Sequence, residues 1–278
     1  MTAAWWIGCV PLVIAATAVA DPPPLAGAGP GIDARLDGCD GLPARAQIAR
    51  TQAVGEDAVH AVARSGERYL VFPAGDGRGC AVYSLGGPAA RTSGQLGDAG
   101  GARAVALKPS RCASGSCVIA LAVCGKQGGP VAALRTDFDC DEGVELRALK
   151  LFGSRDSLEL VCRASSGAGW QERRALIEIS GGLAVRYVLD TGSYIAAAPE
   201  EKKAGGCASR PVGSLRVERP GDRPLLRVID PASGPLQDGK GTLPARQLVY
   251  DPAKHEFAPS GAPDVPTQVD ARAGCHRR

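Results

Sequence analysis

The sharpest chemical signal in this sequence is Asp190-Thr191-Gly192-Ser193, which follows the hydrophobic run Tyr187-Val188-Leu189. Acid–base work by carboxylates needs two of them facing each other, sharing one proton across an activated water. A second cluster is the acidic run from Asp137 to Glu142, in which Asp137, Asp139 and Asp141 stand at every second position as in calcium loops. Its glycine, Gly143, falls one place later than an EF-hand loop requires, and the twelfth position is Ala148 instead of glutamate. Alternate side chains on a strand share one face without converging, so a solvated acidic turn is the expectation, with no metal and no cofactor. The histidines are His60 in a strand segment, His255 in a hairpin turn and His276 in the tail. The chain contains no H-E-x-x-H, no G-x-S-x-G, no phosphate loop and no dinucleotide fingerprint.

The strand running into Asp190-Thr191-Gly192-Ser193 resembles the active-site motif of aspartic peptidases. The preceding Ile177-Glu178-Ile179-Ser180-Gly181-Gly182 is similar to the strand and turn that lead into that motif. The resemblance covers only about twenty residues. It implies that Asp190 is one catalytic acid and that Thr191 and Ser193 fix the loop. No second D-T-G or D-S-G occurs, so a partner subunit would have to supply the other carboxylate. The alternative is structural: a strand that ends in an Asp-x-Gly turn.

The cysteines are read through the compartment. Trp5 to Ala18 is apolar and uncharged, Ala18-Val19-Ala20 is a small-residue cleavage site, and Asp21-Pro22-Pro23-Pro24 follows. Residues 1–20 are therefore expected to be a signal peptide, and the protein secreted or periplasmic, with no membrane span once the signal is removed. Of the ten cysteines, Cys9 leaves with that segment and nine remain. The spacing Cys112, Cys117, Cys124 has no nearby histidine, so disulfides are expected over zinc. Connectivity cannot be deduced from sequence. The adopted expectation pairs Cys39 with Cys80, Cys112 with Cys117, Cys124 with Cys140 and Cys207 with Cys275. Cys162 is left over as a free thiol packed in a strand.

Those residues are carried by short strands. Leu183, Val185, Tyr187 and Leu189 fall on alternate positions, and Ala175–Ile179 is rich in β-branched residues. Gly181-Gly182 between them predicts a tight hairpin. With Glu145–Leu151 and Ser157–Cys162 this makes one four-stranded meander. Looser versions begin near Val59, Arg103 and Ser214. The expected fold is all-β, of serial antiparallel meanders in a small propeller-like ring of about four units, with a two-sheet sandwich as the alternative. Residues 21–58 are expected to be a Pro/Gly-rich leader with a short helix near Pro43, residues 59–258 one β-repeat domain, and residues 259–278 an irregular tail.

The chain has 278 residues, 4% aromatic, with 37 glycines and a net charge of +3. Turns are many, and no basic stripe points to nucleic acid. With no complete catalytic set, the expected function is a secreted, disulfide-stapled binding or scaffold module for a protein or carbohydrate ligand. The aspartic-type peptidase through Asp190 is the alternative.

Overall fold

The computed structural model describes residue 32 and residues 35–55, 57–74, 79–96, 101–112, 117–152, 156–166, 169–195, 213–229 and 240–270. Everything below concerns these residues. They form an all-β fold of four antiparallel sheets. The first sheet holds β1 (Ile48–Ala53), β2 (Val59–Ala63), β3 (Arg68–Pro73) and β4 (Cys80–Ser84) in that order. The second holds β5 (Ala90–Leu96), β6 (Gly101–Leu107), β7 (Val118–Gly125) and β8 (Pro130–Asp139). The third holds β9 (Gly143–Lys150), β10 (Asp156–Ser166), β11 (Gly169–Ile179) and β12 (Leu183–Ile195). One parallel pair, Asp156 with Leu96, links it to the second. The fourth holds β13 (Ser214–Arg219), β14 (Leu225–Ile229), β15 (Lys240–Asp251), β16 (Glu256–Pro259) and β17 (Val265–Asp270).

The sheets stack face to face because several strands are apolar on both faces. In β7, Ala120, Ala122 and Cys124 pack with Leu70, Phe72 and Tyr83 of the first sheet. The intervening Ile119, Leu121 and Val123 pack with Leu158, Leu160 and Ile177 of the third. The third sheet's other face carries Leu176 and Leu189 against Leu226, Val228 and Leu248 of the fourth. Each fully buried leucine contributes about 1.5–3 kcal/mol, so the two-faced strands do most to hold the stack together. The expected serial meanders are present, but the described residues form no closed barrel or propeller. No core cluster among the described residues joins the first sheet to the fourth.

Between β11 and β12 the link is three residues, since Ile179 pairs with Leu183 and the Ser180 amide donates to Gly182 O at 3.2 Å. Gly181 takes the left-handed conformation there, with φ of 64°. Two boundaries differ from expectation. The helix near Pro43 is a single 3-10 turn at Arg45–Gln47, followed at once by β1. The segment after residue 259 carries β17, where Val265, Thr267 and Val269 alternate and pair with Ala245, Leu243 and Gly241.

Three disulfides staple the stack. Cys39–Cys80 ties the N-terminal loop to β4, Cys112–Cys117 closes the β6–β7 loop, and Cys140–Cys162 joins the second sheet to the third. Cys162 is therefore not the leftover thiol. Among the described residues the unpaired cysteine is Cys124, buried. Strand parity explains the exchange. Cys124 lies on the face of β7 turned to the first sheet, whereas Cys140 and Cys162 meet in the core between the second and third. Burial pushes the Cys124 thiol above its ordinary pKa, against the pull of Arg103 and Arg68. Cys207 and Cys275 lie outside the described residues.

Candidate ligand-binding cleft

Asp190 sits in β12 directly opposite Arg173 of β11, and Arg173 Nε donates to Asp190 Oδ1 at 2.5 Å. The pair is exposed, with 68% of the Asp190 side chain in solvent. Thr191 faces inward and donates its hydroxyl to Glu172 O at 2.9 Å. Gly213 closes over it so tightly that a Cβ there would stand 2.7 Å from Thr191 Cα. Ser193 pairs in the ladder with Gln171. A guanidinium, not a carboxylate, therefore stands opposite Asp190, and the strand runs on through Gly192 to Ile195 instead of turning.

The acidic run is also dispersed. Asp137 is exposed on β8, Asp139 Oδ1 accepts from the Cys117 amide at 2.8 Å, and Asp141 accepts from the amide and hydroxyl of Ser165. Partial burial works against ionisation of Asp141, but the Ser165 bonds outweigh it and hold its pKa below the ordinary range. No group of three metal-capable side chains occurs among the described residues.

Two arrangements are invisible in the sequence. The first is a ring of charges on one face of the third sheet. Arg147 and Arg163 both meet Glu145, Arg163 and Arg174 both meet Glu172, and Arg147 and Arg174 both approach Glu159. The ring encircles Val161, which lies in register with Glu145 and Arg174. Burial opposes the charge on Glu145, and bonds from Arg163 and Arg147 overcome it, holding its pKa down. Every charge has an opposite neighbour, so the ring fixes strand register and offers no charge to a ligand.

The second is a cleft of about 660 Å³ along β1. One wall is the loop from Leu36 to Arg45, pinned by Cys39–Cys80 and shaped by the backbone bonds Cys39 N to Leu36 O (3.3 Å) and Leu42 N to Cys39 O (3.4 Å). Gly38 and Gly41 supply the positive φ this loop needs, at 75° and 96°. Arg45 and Asp37 pair across the wall at 2.6 Å. The floor is Ile48 to Gln52 of β1, and the far side is His60 and Val62 of β2. The lining is mixed: leucine, isoleucine and valine beside Asp40, Thr51 and Gln52.

His60 is the chemically unusual member. It is 8% exposed, and its Nε2 is buried with no hydrogen-bond partner. Burial first, and the charge of Arg68 second, lower its pKa to about 4. The ring is therefore neutral at neutral pH. A buried, unpaired ring nitrogen costs about 1–3 kcal/mol unless something bonds it. The sequence places His60 in a strand and the wall loop in an extended leader. The signal that the loop packs on the first sheet is Cys39, whose expected partner Cys80 lies in β4.

Fold and cleft together define an all-β stack of four sheets, stapled by three disulfides, with a lined cleft along one free edge. Comparison with family models, curated proteins and solved structures yields no match. No helix among the described residues is long and apolar enough to cross a membrane.

Proposed function

We propose that this chain is a secreted or periplasmic, disulfide-stapled binding or scaffold module whose ligand site is the cleft along β1. The observation that carries the reading is His60 Nε2, a buried polar atom left without a partner in a walled cleft. A ligand that bonds it relieves the cost of its burial. The volume lies within the range of ordinary ligand pockets, and the mixture of apolar walls and a few polar groups suits a protein segment or a carbohydrate. Three disulfides are compatible with an oxidising compartment. A peptidase through Asp190 has weaker support, because Arg173 neutralises that carboxylate.

The test is a pair of arrays, one of synthetic peptides and one of glycans, probed with the full chain and with Ala49→Trp. Ala49 is exposed on the cleft floor, so the indole fills the cleft without entering a core. Binding that falls at least tenfold in Ala49→Trp supports the reading, and binding that survives it removes the cleft as the site. N-terminal sequencing of the native protein checks the compartment: a start at Asp21 is expected, and an intact Met1 contradicts export by signal cleavage.

A further inference from the structure

We infer that the cleft takes an extended peptide segment of another protein, which adds as a strand to the free edge of β1. This rests on the cleft being the ligand site and names its ligand class. β1 ends the strand order of the first sheet, so its outer edge has no strand beside it among the described residues. The Val54 amide donates to Ala58 O at 2.9 Å, which sets the phase of the β1–β2 ladder. Counting back by twos, Gln52 and Arg50 bond inward to His60 and Val62. Thr51 and Ala53 therefore turn their N–H and C=O outward, Thr51 along the cleft and Ala53 just past its end, as a strand-adding peptide requires.

The lining fits such an occupant better than a compact one. Five consecutive residues of β1, Ile48 to Gln52, run along the cleft, a length of about 17 Å at the usual strand rise. The walls come from both faces of the sheet. Leu36 and Leu42 belong to the face carrying Val59, Ala61 and Val71. His60 and Val62 alternate with those residues and so lie on the opposite face. An added strand sends successive side chains to opposite faces and meets both walls in turn. One side chain on the His60 face bonds Nε2, and its neighbours pack on the leucines.

A saccharide would leave the outward backbone of Thr51 and Ala53 unused. A second copy of this sheet would have to bring a whole sheet edge into the cleft that the loop from Leu36 to Arg45 walls on one side. The bulge between Ile48 and Arg50 confines pairing to a few residues, which guards the edge against indiscriminate sheet addition.

The experiment uses the full chain and a library of immobilised ten-residue synthetic peptides. The best binder is remade in two forms, with N-methyl groups either on the amides turned to β1 or on those turned away. Strand addition predicts that the first form loses affinity at least tenfold and the second keeps it. Thr51→Pro removes an amide that the β1–β2 ladder does not use, and proline is tolerated on edge strands. It should weaken peptide binding at least tenfold with an unchanged circular dichroism spectrum and Tm. If Ala49→Trp abolishes binding but both methylated forms and Thr51→Pro bind normally, strand addition is overturned while the cleft remains the site. A glycan ligand sensitive to Ala49→Trp, with no peptide bound, likewise overturns strand addition and keeps the cleft. Binding indifferent to Ala49→Trp removes both readings. A concentration-dependent dimer abolished by Thr51→Pro assigns the edge to a second copy and overturns the peptide proposal.

Discussion

Replacing His60 by phenylalanine should stabilise the fold and impair its function. The aromatic ring keeps its place beside Leu70, its cross-strand neighbour, but the unpaired buried nitrogen is gone. At neutral pH the gain is about 1 kcal/mol, the lower end of the penalty for an unsatisfied buried polar atom. Acid enlarges the difference. The folded chain holds His60 neutral down to about pH 4, because burial and then Arg68 oppose its charge, whereas its ordinary value is 6.5. Below 6.5 the unfolded chain therefore takes up a proton that the folded chain refuses. Wild-type stability falls across that window and levels off below about pH 4, with a total loss of roughly 3 kcal/mol. Carboxylates contribute equally to both proteins, so their difference isolates His60. Urea unfolding at pH 7.5 and 4.5 should show the variant ahead by about 1 kcal/mol, widening by a further 2–3 kcal/mol in acid. An advantage that is the same at both pH values refutes the reasoning about His60. Ligand affinity should fall in the same variant.

Further outcomes follow from the staples and the charges. Alkylation of the unreduced protein should leave Cys124 unlabelled when native and labelled in denaturant, while the cysteines of the three described disulfides stay unlabelled in both. Removing the disulfides one at a time should destabilise by about 4 kcal/mol for Cys39–Cys80, about 3 for Cys140–Cys162 and about 2 for Cys112–Cys117, following their separations of 41, 22 and 5 residues; thermal melts that reverse the order contradict the chain-entropy account. Glu172→Ala strips Arg163 and Arg174 of a partner whose side chain is 3% exposed, and should lower stability by about 2–3 kcal/mol in chemical denaturation; a neutral result would mean that the ring does not fix the register. Asp190→Asn removes an exposed ion pair and should shift stability by less than about 0.5 kcal/mol. Acid-pH proteolysis that is lost in that variant would restore the peptidase reading.

The sheets are legible in the sequence where side chains alternate or where glycines mark a link. The run from Leu183 to Leu189 and the pair Gly181-Gly182 locate the β11–β12 hairpin. β1 and β5 are not legible: Ile48–Ala53 and Ala90–Leu96 are largely polar edge or half-exposed sequences with no apolar period. Ring closure also cannot be read, because similar meanders stack the same way in an open series and in a closed one. The expected cysteine pairing fails at Cys124 and Cys162 for a geometric reason. Consecutive strands suggest a bond within one sheet, but the strand parity of Cys162 aims it across a core at Cys140. The motif at Asp190 is visible as a pattern, while its neutralising partner Arg173 lies seventeen residues upstream and becomes visible only through the β11–β12 register. The cleft is hidden because its parts, the Leu36–Arg45 loop, β1 and His60, come together only once Cys39 is tied to Cys80.

The measurement that bears most directly on the β1 cleft as the binding site is amide hydrogen exchange of the full chain, with and without the ligand selected from the arrays. Strand addition at the cleft predicts new protection at Thr51 and Ala53 and along the Leu36–Arg45 loop, with the second, third and fourth sheets unchanged. Protection centred on Asp190 or any surface remote from β1, with the Thr51 amide exchanging as fast as before, would contradict it.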